Sequence, residues 1–119
     1  LGIESRGFMF GAAMATQLEA GFVPVRKPHK LPSKIHEVEY ALEYGTDKLG
    51  VHQDAIPAGA KVLIVDDMLA TGGTMRATVE LAERLGAEVA GLCFLMELDF
   101  LHGRAKLPSH IPIHTLINY

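Results

Sequence analysis

Two adjacent acids followed by a glycine-rich stretch are the first sign of chemistry in this sequence. Asp66 and Asp67 follow an apolar run, and Thr71 and Thr74 flank a pair of glycines a few residues later. Glycines let a backbone approach a ligand closely, and successive N–H groups at a helix start bind anions. The two threonines add hydroxyl donors. The pattern predicts a site for one phosphate monoester.

The acid pair needs its own explanation, because two carboxylates beside a phosphate would repel it. They become useful when they face sugar hydroxyl groups or a divalent cation, and a sugar phosphate with Mg²⁺ offers both. The alternative is that they cap the next helix, which explains one acid and not the pair. No Gly-Lys-Ser/Thr follows the glycines and no Gly-x-Gly-x-x-Gly is present, which disfavours nucleotide triphosphatases and Rossmann dehydrogenases.

Cations are concentrated at two other points of the chain. Arg6 lies between a predicted strand and a predicted helix, where a loop residue often has a function. Residues 26–34 hold four cations, Arg26, Lys27, Lys30 and Lys34, and two prolines, which is typical of a loop. These cations suit an anionic ligand, although the lysines also fit a solvated surface run.

Alternating strand and helix patterns position these residues. Helices are predicted at residues 8–20, ending at Gly21, and at residues 74–85, ending at Gly86, with a short helix at residues 101–107. Strands are predicted at residues 22–25, 61–65, 89–98 and 111–117. Residues 37–44 and 48–53 are predicted to form a hairpin around a turn at residues 45–47, and residues 57–60 form a further turn.

This alternation predicts an α/β fold, with a mainly parallel twisted sheet flanked by helices. Ligands of such sheets bind beyond the carboxyl ends of the strands. The loops after Val25, Val65 and Leu98 are therefore the ones expected to form a site. They include the cationic segment and the acidic, glycine-rich segment.

Length and composition limit the alternatives. The 119 residues suffice for one domain, 49% are apolar, and the net charge of −3 gives no support for a nucleic acid partner. No apolar run is long enough to suggest a membrane partner. The single cysteine, Cys93, allows no internal disulfide and is interpreted as a small buried hydrophobe in a reducing compartment. His110 and His114 lack zinc-like spacing and are interpreted as loop and edge-strand residues.

The segment at residues 65–74 resembles the phosphoribosyl pyrophosphate signature of the type I phosphoribosyltransferases. Residues 4–8, Arg26-Lys27 with Lys30, residues 42–45 and Glu97-Leu98 look like the adenine phosphoribosyltransferases within that group. The resemblance covers essentially the whole chain. The Thr-Gly-Gly-Thr loop alone would indicate only the superfamily, whereas the combined motifs are highly specific.

The resemblance implies an enzyme of purine salvage, a pentosyltransferase that converts adenine and phosphoribosyl pyrophosphate to AMP and pyrophosphate with Mg²⁺. It also implies the type I phosphoribosyltransferase fold, with a flexible hairpin over the site. Mg²⁺ would be held mainly by the substrate near the acid pair, with no direct protein ligand set. A homodimer and a cytoplasmic location are implied as well.

The resemblance also assigns roles to individual residues. Arg6, Glu43 and Tyr44 would be catalytic, with Arg6 meeting the pyrophosphate and the other two on the mobile hairpin. Glu43 would either move a proton on the base or only position groups. Among the substrate-binding residues, Asp66 and Asp67 would face the ribose hydroxyls, and Leu98 would pack against the purine or simply lie in the core. Further positive charge would come from Arg26, Lys27 and Lys30. The 5′-phosphate would be surrounded by Ala70, Thr71, Gly72, Gly73 and Thr74.

Members of this family carry more sequence ahead of the point that matches Leu1, including a first strand and a hood segment that recognises the base. We therefore expect residues 1–119 to be a single core domain truncated at its N-terminus, without the hood, which keeps the phosphate site but lacks adenine selectivity and full turnover on its own. Three alternatives stay open: a non-catalytic phosphoribosyl pyrophosphate or nucleotide sensor, an enzyme for guanine or xanthine, and an interaction domain with a vestigial site.

Overall fold

A computed structural model of the chain describes residues 1–32, 34–42 and 45–119. Seven strands and two α-helices alternate through this part of the sequence, with short 3₁₀ turns between some of them. In chain order they are β1 (Gly2–Ile3), α1 (Gly7–Gln17), β2 (Pro24–Val25), β3 (Ile35–Leu42), β4 (Gly45–His52), β5 (Lys61–Leu69), α2 (Gly73–Arg84), β6 (Glu88–Glu97) and β7 (Ile113–Asn118).

Five of these strands form one parallel sheet in the order β2-β1-β5-β6-β7. Ile64, Leu92 and Val25 lie fully buried in it, as expected for apolar runs covered on both faces. Helix α1 packs on β1 and β5, and α2 packs on β5 and β6. The α/β fold with a parallel sheet flanked by helices is confirmed.

Strands β3 and β4 form a separate antiparallel hairpin. The predicted turn at residues 45–47 was wrong, because Gly45 pairs with Leu42 and Asp47 pairs with Tyr40. Asp47 stays in the strand because its carboxylate accepts a 3.5 Å hydrogen bond from the Tyr40 hydroxyl and contacts Lys27. Residues 43–44, which follow β3 in the sequence, lie outside the described residues.

Of the two helix ends predicted at glycines, one is confirmed and the other was wrong. Gly86, with φ of 80°, ends α2 as expected. Gly21 does not end α1, since Glu19 takes the left-handed conformation with φ of 52°, and the Ala20 N–H donates to the Ala15 carbonyl at 2.9 Å. The chain leaves the helix this early because the Phe22 ring packs against Gly2 and Gly11.

The predicted helix at residues 101–107 was also wrong. This segment forms two 3₁₀ turns, Asp99–Leu101 and Gly103–Lys106, separated by His102 in the left-handed region with φ of 53°. Cys93 is half-buried, and burial raises the pKa of its thiol, in keeping with a packing role. None of the helices in the described part of the chain is long and apolar enough to cross a bilayer.

Candidate active site

The polar residues singled out in the sequence meet at one edge of the sheet. Strands β1, β2, β5 and β6 are parallel, so their carboxyl ends share that edge. The loop after β1 is bound there to the end of β2, because the Glu4 N–H donates to the Val25 carbonyl at 2.9 Å. Likewise the Leu98 N–H, just after β6, donates to the Leu69 carbonyl of β5 at 2.9 Å.

The sequence predicts the acid pair in the loop after Val65, but the structure places it within strand β5. The strand continues to Leu69 because β6 supplies partners as far as Glu97. Burial is the main reason that the pKa of Asp66 is raised to about 7. The negative charge of neighbouring Asp67 adds to the rise, and the Asp67 N–H, which donates to the Asp66 carboxylate at 2.9 Å, opposes it. The edge thus presents one carboxyl group whose pKa is raised toward neutral pH.

Arg6 links the first loop to the acid pair. Its Nε lies 2.5 Å from Oδ2 of Asp67, and its side chain is 66% exposed against 18% for Asp67. The Glu4–Ser5 peptide bond in the same loop is cis. The guanidinium is therefore held at the acid pair while most of its surface is open to an anion.

The glycine-rich segment has the geometry of an anion cradle. Gly72 precedes α2 with φ of 81°, a conformation that favours glycine. Helix α2 begins at Gly73, and no side chain in the described residues caps its first turn. Its N–H groups are directed toward the carboxyl edge, where the positive end of the helix dipole attracts an anion. Thr71 lies exposed on this loop, and Thr74 lies partly buried in the first turn of the helix.

Glu4 gathers the cationic segment that follows β2. Its carboxylate is 11% exposed, pairs with Lys30 at 2.5 Å and with Arg26 at 3.5 Å, and accepts the Lys27 backbone N–H at 3.1 Å. Burial opposes ionisation, yet the hydrogen bonds from the Lys30 side chain and the Lys27 backbone N–H, with the nearby Arg26 guanidinium, hold the pKa of Glu4 below its usual value. The sequence patterns did not single out this acid as an anchor for the three cations.

The hairpin is joined to the same cationic segment. Lys27 forms an ion pair with Asp47 of β4, and Arg26 and Gly50 exchange two backbone hydrogen bonds of 3.0 and 2.8 Å. The base of the hairpin therefore lies beside the cations. Glu43 and Tyr44, predicted as catalytic residues at its tip, lie outside the described residues.

Leu98 lies where the sequence placed it, half-buried just beyond the end of β6. Next to it is a contact that sequence reasoning missed. Glu97, only 3% exposed, accepts hydrogen bonds from Arg104 at 2.7 and 2.9 Å from Nε and at 2.7 Å from Nη2. The glutamate was noticed as part of a motif, but nothing in the spacing of the two residues indicates that they pair.

The donor set limits what metal the protein can hold by itself. In the described residues no three His, Cys, Asp or Glu side chains converge as a metal site. Asp66 and Asp67 offer carboxylate oxygens, the ligand type that Mg²⁺ prefers. Mg²⁺ in nucleotide sites is commonly bound through one or two carboxylates together with substrate phosphates, and this pair fits such a shared arrangement.

Comparison with known proteins agrees with this geometry. Residues 1–113 match the phosphoribosyl transferase domain family. The adenine phosphoribosyltransferase of Rippkaea orientalis is 60% identical over all 119 residues, which span 69% of that relative.

Two solved structures are also similar. The adenine phosphoribosyltransferase of Thermoanaerobacter pseudethanolicus matches with a TM-score of 0.95 and 53% identity, over 99% of this chain and 68% of its own. The Saccharomyces cerevisiae enzyme, complexed with D-2,5-dideoxy-2,5-imino-altritol 1,6-bisphosphate and adenine, matches with a TM-score of 0.91 and 51% identity, over 96% of this chain and 64% of its own.

Proposed function

This chain belongs to the adenine phosphoribosyltransferase family, and from that premise we propose that it transfers the phosphoribosyl group of phosphoribosyl pyrophosphate to adenine, giving AMP and pyrophosphate. The observation that carries the proposal is the placement of Asp66 and Asp67 at the end of β5, between the cradle at residues 70–74 and Arg6. This arrangement provides three adjacent binding positions: residues 70–74 for a phosphate, the acid pair for a sugar, and Arg6 for a second anion.

The sugar phosphate is oriented by the end of β5 and the start of α2. Ala70, Thr71, Gly72, Gly73 and Thr74 surround the 5′-phosphate with backbone N–H groups and hydroxyls. Asp66 and Asp67 accept hydrogen bonds from the ribose hydroxyls. Hydroxyl donors favour the charged form of Asp66, so sugar binding lowers the pKa that burial raises to about 7. Sugar binding near neutral pH is therefore coupled to release of a proton.

The leaving group lies on the cationic side. In the reaction the bond from the anomeric carbon to the pyrophosphate oxygen breaks, and a bond from that carbon to an adenine nitrogen forms. Arg6 faces the departing pyrophosphate, with Arg26, Lys27 and Lys30 behind it. Fixed cations stabilise the negative charge that develops on the leaving group, and losing one such group typically costs about 10²-fold in rate.

Mg²⁺ is part of the proposal as a cofactor held mainly by the substrate. Asp66 and Asp67 are the residues that would hold it together with the substrate phosphates. When bound, the ion neutralises charge on the pyrophosphate and makes it a better leaving group. The protein's own contribution is to orient the two anions and to keep the acid pair directed at the sugar.

Among the ligands, adenine has the fewest contacts assigned to described residues. Leu98, half-buried beyond β6, offers an apolar surface for one face of the purine. Glu43 and Tyr44 stay predicted catalytic residues of the hairpin that covers the site. The link from Lys27 to Asp47 supports a coupled movement, because the hairpin and the pyrophosphate cations share an ion pair.

The proposal extends to a homodimer and a cytoplasmic location. Exposed apolar side chains such as Met9 on α1 support a further interface. The single cysteine supports a reducing compartment. Sedimentation of the purified chain tests the first point, with a mass of two chains expected and a monomer at all concentrations contradicting it.

An assay of AMP formation tests the activity. The full-length protein is supplied with adenine, phosphoribosyl pyrophosphate and Mg²⁺, and AMP and pyrophosphate are expected in equal amounts. Guanine and xanthine serve as matched controls and are expected to give no nucleotide. Saturable binding of phosphoribosyl pyrophosphate without product from any purine would contradict the proposal and favour a sensor.

A further inference from the structure

The segment after β6, at Gly103, packs against the backbone of the phosphate cradle at residues 70–74. A methyl group built on Gly103 would lie 2.3 Å from the Ala70 carbonyl oxygen and 3.0 Å from Cδ1 of Leu69. A methyl group on Gly72 would lie 2.5 Å from the Gly103 carbonyl oxygen. Two backbones are therefore in direct contact, and neither has room for a side chain. The position of Gly103 limits where the cradle backbone can lie.

Arg104 fixes that glycine relative to the sheet. Its guanidinium donates three hydrogen bonds of 2.7 to 2.9 Å to Glu97, the last residue of β6, and approaches Oγ1 of Thr115 at 3.4 Å. Glu97 is buried and in register with Leu69 at the end of β5. Because the planar Arg104 guanidinium is bound to the buried Glu97 carboxylate, the backbone at Arg104 is held in one position. The pair of half-exposed Arg104 and buried Glu97 thus connects β6, the Gly103–Lys106 turn and the cradle.

We propose that Gly103 and Arg104 form a support that sets the shape of the phosphate cradle, with Arg104 as a positioning residue that acts through Glu97. The inference rests on the proposed function, because it assigns the support to the 5′-phosphate seat of that site. Arg104 does not touch the substrate in this account. Its effect reaches the phosphate through the Gly103 backbone and the conformation of Gly72.

A support of this kind has a specific energetic signature. Misplacing a binding group by about 1 Å can cost on the order of 10²-fold. Lysine in place of Arg104 keeps a positive charge beside Glu97, but it cannot form the paired hydrogen bonds that the planar guanidinium makes with the carboxylate. Loosening the support therefore weakens binding of a sugar phosphate. It leaves pyrophosphate binding intact, since that anion meets Arg6 and the cations after β2 on the other side of the acid pair.

The test compares two ligands across four variants by calorimetric titration. Arg104→Lys and Gly103→Ala perturb the support in independent ways. Gly21→Ala is the matched glycine control, because a methyl group there meets nothing within 4 Å. Arg84→Lys is the matched charge control, since Arg84 pairs with exposed Glu80 at the far end of α2. Ribose 5-phosphate probes the cradle, and pyrophosphate with Mg²⁺ probes the cationic side.

The support predicts that both test variants raise the Kd for ribose 5-phosphate by about tenfold or more and leave the Kd for pyrophosphate unchanged. Both controls are expected to match the wild type for both ligands. Unchanged ribose 5-phosphate affinity in Arg104→Lys overturns the inference, and so does an equal loss for both ligands, which indicates general loosening. A wild-type chain that does not bind ribose 5-phosphate overturns the proposed function, and the inference with it.

Discussion

Arg6 Nε lies 2.5 Å from Asp67 Oδ2, which joins the loop after β1 to the acid pair at the end of β5. The contact unites two parts of the site that are 61 residues apart in the sequence. It places a largely exposed guanidinium beside carboxylates that we propose to bind the ribose hydroxyls. In the proposed function, the cation for the leaving group and the acceptors for the sugar are thus held next to each other.

Arg6→Ala is expected to weaken pyrophosphate binding and to leave ribose 5-phosphate binding nearly unchanged. A charge-assisted hydrogen bond contributes about 1.5–3 kcal/mol, so the Kd for pyrophosphate with Mg²⁺ should rise by at least about tenfold. Titration calorimetry of both ligands measures this. Arg84→Ala is the control and should have no effect. Equal losses for the two ligands would show that Arg6 acts on the whole site instead.

The raised pKa of Asp66 predicts a pH-dependent stability. Burial raises that pKa from 3.8 to about 7, so between these values the folded chain binds more protons than the unfolded chain. The free energy of unfolding contributed by Asp66 is therefore complete below the lower value and is lost as the pH rises through the upper one. Asp66→Asn removes this dependence.

Urea unfolding measures the effect of Asp66. Between about pH 4 and about pH 8, Asp66→Asn should gain roughly 4 kcal/mol of unfolding free energy relative to the wild type. Asp54→Asn changes an exposed acid and serves as the control, with no such gain expected. A parallel pH profile for the wild type and Asp66→Asn would contradict the burial of this carboxyl group.

Gly72→Ala and Gly59→Ala separate backbone strain from cradle geometry. Both glycines have φ near 80°, but a methyl group at Gly59 meets nothing within 4 Å, whereas one at Gly72 meets the Gly103 carbonyl oxygen. Each variant should lose about 1 kcal/mol of stability from the left-handed conformation. Only Gly72→Ala should also raise the Kd for ribose 5-phosphate, by about tenfold or more. Equal affinities in titrations of the two variants would argue against the cradle.

Glu43→Gln tests the predicted catalytic residue of the hairpin. If Glu43 moves a proton on the base, kcat should fall by about 10²-fold or more and the pH profile of kcat should lose one limb. If it only positions groups, KM should change and the profile should keep its shape. Glu39→Gln, an exposed acid on β3, is the control and should behave as the wild type. Unchanged kcat and KM in Glu43→Gln would remove this residue from the mechanism.

The local features of the fold were readable in the sequence, because they depend on short-range physics. The β-branched run ending at Val65 and the glycine at position 86 specify a buried strand and a helix end within a few residues. Gly21 misled because tertiary packing of the Phe22 ring, and not residue preference, sets where α1 ends. The hairpin register likewise follows from the contacts of Asp47 with Tyr40 and Lys27.

The candidate site was predictable where one short segment carries both the chemistry and its position, as in residues 66–74. The supporting contacts were not. Glu4 acts on cations more than twenty residues away, and Arg104 reaches Glu97 across two 3₁₀ turns that have no periodic pattern. Such pairs arise only when the strand ends are assembled at one edge.

The most direct test of the central claim is titration calorimetry of phosphoribosyl pyrophosphate with Mg²⁺ into the wild type and into the double variant Asp66→Asn, Asp67→Asn. Asparagine keeps the size of each side chain but removes the charge that accepts the ribose hydroxyls. We expect saturable binding of one ligand per wild-type chain and a loss of affinity on the order of 10²-fold or more in the variant. Equal affinity in the two proteins, or no binding by the wild type, would contradict it.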